Sequence, residues 1–248
     1  MPTTTASADP YTVYPNTDLS WWYIPPKPLN QQLPAKIDPG IAALIAKYST
    51  LWQLPSGSKK IYITMDEGYE FETNTAEILD IAKAKNIPIT FFITGSYLNH
   101  NLPLVKRMLA EGHQVANHSF NHLRPAPALA ISTDYYIADI QSLASRFREL
   151  TGSEIAPFYR PPEGGYSERA LKIVEDLGYT TVFWSFAYRD WLTDAQPDIT
   201  AAFDRISGEL HDGSILLLHA VSDTNVAVLA QLIDFVRAQG YVIAPLPR

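Results

Sequence analysis

The chain has 248 residues, carries a net charge of −7 with a pI near 5.3, and contains no cysteine. This length fits one large α/β domain or two small ones, and an acidic balance without a basic cluster argues against nucleic acid as a partner. The absence of cysteine excludes disulfides, a thiol nucleophile and cysteine-ligated metals.

Residues 1–58 are rich in proline and predict an irregular segment. The first ten residues lack the basic start and apolar core of a signal peptide. Only residues 41–52 show apolar side chains at helical spacing, with Asp38 as the expected cap. Trp21-Trp22-Tyr23 needs burial, so we expect this segment to pack on the domain that follows, with a role as a substrate-groove wall as the alternative.

From residue 60 onward, short apolar runs alternate with helical patterns, and no run is long enough to span a membrane. The runs predict seven strands, at residues 60–65, 89–94, 114–118, 157–160, 180–186, 214–219 and 241–246. Helices are predicted at residues 75–85, 103–111, 133–150, 167–177, 200–210 and 225–239. This alternation implies parallel strands with right-handed crossovers, and hence an α/β fold with a distorted (β/α)7-type barrel. An open doubly wound sheet is the alternative.

The first predicted strand ends in two adjacent acids, Asp66 and Glu67, followed by Gly68. Taken alone, an acidic turn after a strand is common. The position is informative because α/β folds collect their chemistry at the carboxyl ends of their strands. A phosphate site is disfavoured here, since no glycine-rich loop follows and the two acids would repel an anion.

Two histidines, His118 and His122, follow the third strand four residues apart. We expect them on one face of a helical turn, where both imidazoles can reach one ion. The spacing alone is a weak signal, and two unrelated surface or core histidines are the alternative. With a carboxylate from the first strand end, the pair would complete a three-ligand site suited to Zn²⁺ or another divalent ion.

Three more strand ends carry polar side chains: Arg160, Asp190 beside Trp191, and His219. Arg160 could form an ordinary surface salt bridge, or it could hold a carboxylate ionised and oriented. A histidine that closes an apolar strand is often a packed core residue. Polar residues at five of the seven predicted strand ends, on one rim, nevertheless predict an active site.

In their order, these residues resemble the polysaccharide deacetylases of carbohydrate esterase family 4, over residues 59–248. The first matching motif is Thr64-Met65-Asp66-Glu67-Gly68, and the second runs from His118 to His122. The others are Arg160 to Gly164, Asp190-Trp191, and the Leu-x-Leu-His ending at His219. Longer phrases around Glu67, Trp184 and His219 resemble the branch of peptidoglycan N-acetylmuramic acid deacetylases.

The resemblance implies roles for individual residues in hydrolysing an acetamide with a metal-bound water. Asp66 would be the general base, oriented by Arg160, and His219 the general acid, held by Asp190. The backbone N–H of Glu163 would bind the oxyanion. The acetyl methyl would lie against Trp191 and Leu217.

The metal site departs from the family pattern, because Glu67 replaces the usual second aspartate. Its ligands would be Glu67, His118 and His122, or the two histidines with water and weaker binding. Zn²⁺ is favoured by the imidazoles, and Mg²⁺ or Mn²⁺ are the alternatives.

The expected substrate is peptidoglycan, with N-acetylmuramic acid as the residue that loses its acetyl group. The alternatives are N-acetylglucosamine polymers, including chitin oligomers, or a catalytically inactive glycan-binding module. The lactyl carboxylate of muramic acid would need a cation, for which Arg124, Arg169 and Arg189 are candidates and Arg189, beside Asp190, is preferred. The substrate further implies an extracytoplasmic protein, which we expect to be a monomer.

Overall fold

The computed structural model describes residues 9–247, so residues 1–8 of the predicted N-terminal segment, together with residue 248, lie outside it. Within this range, the strands are β1 (Leu19–Ser20), β2 (Thr50–Leu51), β3 (Lys60–Glu67), β4 (Thr90–Ile93), β5 (Gln114–Asn117), β6 (Ala156–Tyr159), β7 (Gly165–Tyr166), β8 (Thr180–Val182), β9 (Ile215–His219) and β10 (Val242–Ile243).

The helices of the same residues are α1 (Pro39–Ile45), α2 (Asn74–Lys85), α3 (Gly95–His100), α4 (Leu102–Ala110), α5 (Pro125–Ile131), α6 (Thr133–Thr151), α7 (Glu168–Asp176), α8 (Ile199–Glu209) and α9 (Asp223–Ala238). The six helices predicted after residue 60 are confirmed to within two residues at each end. No helix within residues 9–247 combines the length and the hydropathy that a bilayer crossing requires.

A curled, parallel sheet forms the centre of the molecule. Its order is β10-β3-β4-β5-β6-β8-β2, and β9 also pairs with β3. Phe186, in the segment after β8, forms a parallel bridge with Leu216 in β9 and brings that end of the sheet round to β3. The prediction of a (β/α)7-type barrel in a single domain is thereby confirmed. The small pair β1 and β7 is antiparallel and lies apart from this sheet.

Alternation along β3 separates the two faces of the sheet. Ile61, Ile63 and Met65 join the apolar cluster that packs with the helices. Tyr62 instead joins the cluster inside the curled sheet, with Phe92. Because neighbouring side chains of a strand point to opposite faces, Asp66 continues the inner row and Glu67 the outer row.

The N-terminal segment differs in detail from the prediction. The helix expected at residues 41–52 covers only Pro39–Ile45, with Asp38 as its cap, and the chain then turns into the strand β2. Trp21 is buried, stacks on Phe183 and donates its indole N–H to the carbonyl of Trp184 at 3.0 Å. The boundary at residue 58 remains a prediction.

Candidate active site

A cavity of about 1280 Å³ opens where the strands end. Eight of the residues singled out in the sequence line it: Asp66, His118, His122, Glu163, Arg189, Trp191, Leu217 and His219. Arg160 and Asp190 lie behind its wall, fully buried, and each contacts one of the lining residues. Glu67 does not reach the cavity.

Asp66 and Arg160 form a buried ion pair at the base of the cavity. Arg160 Nη1 donates to Asp66 Oδ1 at 2.8 Å, and the guanidinium lies over the ring of Phe92 at 4.1 Å. Burial would raise the pKa of Asp66, but the charges of Arg160 and the neighbouring histidines outweigh it and hold the pKa below its usual range. Asp66 is therefore an ionised carboxylate that can accept a proton.

His219 is the partner of Asp66 on the adjacent strand, since the two residues are in register between β3 and β9. Its Nδ1 lies 2.7 Å from Asp190 Oδ1, so Nδ1–H donates to the carboxylate and Nε2 remains available. Burial would lower the pKa of His219, but the Asp190 carboxylate reverses this and raises it. The Asp190 carboxylate thus favours the protonated form of His219, on the strand next to the ionised carboxylate of Asp66. The ring of Trp191 lies 5.7 Å from that of His219.

Asn225, which the sequence did not point to, holds Asp190 and His219 in place. Its amide Nδ2 donates to Asp190 Oδ2 at 2.6 Å and to the carbonyl of His219 at 2.9 Å. The side chain is buried and also accepts a hydrogen bond from the Tyr188 hydroxyl. A signal was present in the sequence, because Ser222 caps α9 and thereby places Asn225 in its first turn.

We expect Asn225→Ala to lower kcat about tenfold and leave KM unchanged, because Asp190 loses one charge-assisted hydrogen bond while the cavity wall stays intact. Steady-state acetate release measures both constants. Asn74→Ala is the matched control, since Asn74 is also buried and donates to Asp223 at 2.9 Å, and neither residue lines the cavity. Equal losses of kcat in the two variants would show that Asn225 has only a general structural role.

The loop from His118 to His122 is held by Asp139 of α6, another residue that no sequence pattern indicated. Asp139 accepts hydrogen bonds from Ser119 Oγ, from the backbone N–H of Phe120 at 3.0 Å and from that of Asn121 at 3.1 Å. The predicted helical turn is wrong, because these residues form an irregular loop. The two imidazoles nevertheless meet, with ring centroids 5.0 Å apart.

This loop and the one after β6 contain left-handed backbone at non-glycine residues. Ser119 has φ 68°, His122 has φ 55° and Glu163 has φ 58°. Such conformations cost of order 1–3 kcal/mol each and persist only where the surroundings impose them. The Asp139 hydrogen bonds to Ser119, Phe120 and Asn121 hold the loop in which the first two lie. At the third, Arg124 lies 3.4 Å from the Glu163 carboxylate.

The two histidines are suited to a divalent metal, whereas the predicted three-ligand set does not form. His118 Nδ1 lies 2.8 Å from the carbonyl of Arg160, which fixes the tautomer and leaves Nε2 as an acceptor. Burial lowers the pKa of His118 to about 4, so the imidazole is neutral, as metal binding requires. Within residues 9–247, however, no three His, Cys, Asp or Glu side chains are grouped to hold one ion.

Glu67 is the predicted ligand that the structure places elsewhere. It occupies the outer row of β3, fully buried, and neither carboxylate oxygen has a hydrogen-bond partner among the described residues. Burial, followed by the charges of Glu70 and Asp66, raises its pKa well above the usual range. The reason is the strand itself, because β3 stays extended through Glu67 and consecutive side chains point to opposite faces.

We expect Glu67→Gln to stabilise the protein more at pH 7.5 than at pH 4. A carboxyl whose pKa is raised by folding contributes most below its unfolded pKa, and this contribution is lost as the pH rises toward the folded pKa. The melting temperature in EDTA should therefore gain a few degrees more at pH 7.5.

Glu111→Gln is the control of opposite sign, because hydrogen bonding to Arg107 lowers the pKa of Glu111 and its contribution is lost at low pH. If the stability changes of both variants depend on pH in the same direction, the assignment of a neutral carboxyl to Glu67 is wrong.

Only one of the three arginines considered for the lactyl group reaches the cavity. Arg124 is occupied by Asp18 and by the Ser20 hydroxyl, and Arg169 donates to the carbonyl of Tyr14. Arg189 lines the cavity. Arg205 of α8 also lines it, and no sequence pattern had singled it out.

A carboxylate with a lowered pKa and an imidazole with a raised pKa, in one cavity, are equipped to activate water and to protonate a leaving amine. The sequence profile of the polysaccharide deacetylase family matches residues 53–182, more than half of the chain. The chain therefore belongs to this family, carbohydrate esterase family 4, and is an enzyme of the polysaccharide deacetylase class.

Several members of the family are similar to this chain over most of its length. The chain is 37% identical over 230 residues to the peptidoglycan-N-acetylmuramic acid deacetylase PdaA of Bacillus subtilis, covering 92% of this chain and 84% of the relative. A peptidoglycan-N-acetylglucosamine deacetylase of Bacillus cereus is 32% identical, with 77% and 87% covered. The solved structure of B. subtilis PdaA, a family 4 carbohydrate esterase, superposes with a TM-score of 0.86 at 34% identity, covering 93% of this chain and 96% of that one.

Proposed function

We propose that this enzyme removes the N-acetyl group from N-acetylmuramic acid residues of peptidoglycan. The observation that supports the proposal most directly is that Asp66 and His219 line one cavity, each held by a buried partner of opposite charge, Arg160 and Asp190. The similarity to PdaA over 92% of the chain favours muramic acid over glucosamine. The substrate is a cell-wall polymer, so we further propose an extracytoplasmic site of action.

In the proposed reaction, Asp66 takes a proton from the attacking water, and Arg160 keeps the carboxylate ionised and aimed. The backbone N–H of Glu163 donates to the oxyanion. His219 Nε2 then delivers its proton to the departing sugar amine, while Asp190 stabilises the imidazolium. The acetyl methyl lies against Leu217 and Trp191. These roles carry the family pattern onto the residues that line or support this cavity.

For the divalent metal that the family resemblance implies, we propose His118 and His122 as the side-chain ligands, with water completing the coordination. Such an ion would lower the pKa of a bound water and polarise the acetamide carbonyl. Zn²⁺ suits two imidazoles, and Mg²⁺ or Mn²⁺ are the alternatives. We leave Glu67 out of this set because its carboxylate lies on the outer face of β3, away from the cavity.

Acetate release from peptide-free glycan strands, with N-acetylglucosamine oligomers in parallel, tests the proposal. Release from the muramic-containing strands and not from the oligomers is the expected result. Release from the oligomers alone would indicate that the enzyme deacetylates N-acetylglucosamine, as the name of the B. cereus relative states for that protein. No release from either substrate with Zn²⁺, Mn²⁺ or Mg²⁺ present would favour a glycan-binding module.

A further inference from the structure

Arg205 brings a second exposed cation to the cavity wall. Its Nη2 donates to the carbonyl of Ala187 at 3.3 Å, and its Nε lies 3.5 Å from Glu209 Oε1. The other terminal nitrogen, Nη1, has no hydrogen-bond partner within residues 9–247, and about half of the side chain, 49%, is exposed. The guanidinium therefore has donors left for a ligand in the cavity.

Arg205 lies next to the segment that carries Arg189. It is bonded to Ala187, which precedes Arg189 by two residues, and Arg189 itself precedes Asp190. Arg189 is exposed on the cavity wall, and the described part of the chain offers it neither a hydrogen bond nor an ion pair. Two arginines thus line the cavity, one of them directly before Asp190, which holds the acid His219.

The other charges at the cavity are already compensated. Asp66 is paired with Arg160, and Glu163 with Arg124. In a chain with a net charge of −7, two arginines with unused donors at the reaction site form a local positive region. A cavity wall of this kind favours an anionic group on the substrate.

We propose that Arg205 and Arg189 together form a subsite for the carboxylate of the lactyl group, an inference that rests on the proposed muramic acid deacetylation. In muramic acid the lactyl ether is on O3, adjacent to the carbon that bears the acetamide. Its carboxylate therefore enters the cavity with the reacting amide. The planar donors of arginine match a carboxylate better than a single ammonium does.

The N-terminal segment supports Arg205 from behind. Glu209 is buried and accepts a hydrogen bond from the Tyr23 hydroxyl at 3.2 Å, while that hydroxyl also accepts from the backbone N–H of Ala187 at 3.1 Å. Glu209 is thus a positioning residue. It holds Arg205 against Ala187 without enclosing the guanidinium, so the donors that face the cavity stay free.

The experiment compares wild type with Arg205→Gln and Arg205→Lys on two forms of the same peptide-free strands. One form keeps the lactyl carboxylates, and in the other they are converted to neutral amides. We expect Arg205→Gln to raise KM at least tenfold on the carboxylate form, with kcat little changed and no effect on the amide form. Arg205→Lys should recover part of the affinity because it restores the charge.

Arg148→Gln is the matched control, since Arg148 is also exposed and paired with a glutamate, Glu154, on the outer surface of α6. Equal KM values of wild type and Arg205→Gln on the carboxylate form would overturn the subsite. So would a wild type that does not distinguish the two forms. Failure of the proposed function itself is detected separately, with the wild-type enzyme alone. In that case acetate is released from N-acetylglucosamine oligomers and not from the muramic-acid-containing strands.

Discussion

Asp66→Asn should abolish acetate release, lowering kcat by at least about a hundredfold and up to about ten-thousandfold, the usual contribution of a correctly placed general base. The amide is isosteric with the carboxylate and can still accept the hydrogen bond from Arg160 Nη1, so the cavity keeps its shape. What it loses is the ability to take a proton from water.

The same substitution should also destabilise the protein, because it leaves the charge of Arg160 buried and uncompensated. Breaking a buried ion pair typically costs about 3–5 kcal/mol, against a total stability of about 5–15 kcal/mol for a domain. We therefore expect a folded protein with a lowered melting temperature. Activity and thermal unfolding should be measured on one preparation.

Asp234→Asn is the control, since Asp234 forms an ion pair with Lys85 at 2.6 Å on the surface. Exposed pairs contribute little, so this variant should keep both its activity and its melting temperature. Substantial turnover by folded Asp66→Asn would remove Asp66 from the role of base.

The second large effect is expected at His219. His219→Gln should lower kcat by about a hundredfold or more, because the group that protonates the leaving amine is removed. In the wild type, activity should rise as Asp66 ionises at its depressed pKa and fall as His219 loses its proton at its raised pKa. The pH profile is therefore a broad bell.

Asp190→Asn tests the protonation of His219 while leaving its imidazole in place. The carboxylate is what keeps the pKa of His219 raised, and burial alone would lower it. The alkaline limb of the profile should consequently move to lower pH, while the acid limb, set by Asp66, stays in place. An alkaline limb that does not move in Asp190→Asn would contradict the assignment of His219 as the acid.

Much of the fold could be predicted because its signals are local. Apolar runs marked the strands, and a capping residue, Asp38, marked the start of α1. The short helices α3 and α5 and the strand β2 were missed, since none has enough residues for a periodic pattern. The helix predicted at residues 41–52 was too long, because Thr50 and Leu51 pair as β2 with β8 instead.

The site was predictable to the extent that strand ends carry it. Asp66, Arg160 and His219 each follow an apolar strand, and parallel strands bring their carboxyl ends together. Asp139 and Asn225 lie on helices and act through hydrogen bonds formed only in the folded chain. The sequence predicted Glu67 beside Asp66 in the cavity, because two adjacent acids cannot be told apart by sequence alone. In the folded strand their side chains point to opposite faces.

The N-terminal segment also bears on how these sequences can diverge. Trp21 and Tyr23 lie outside the stretch of residues 53–182 that the family profile covers, yet they bond to Trp184 and Ala187 beside the catalytic loops. A homologue that replaced Tyr23 by an apolar residue would leave Oε2 of the buried Glu209 carboxylate without its hydroxyl donor, and selection should then change both positions together. Paired variation between the leading segment and α8 is therefore the evolutionary trace that this packing should leave.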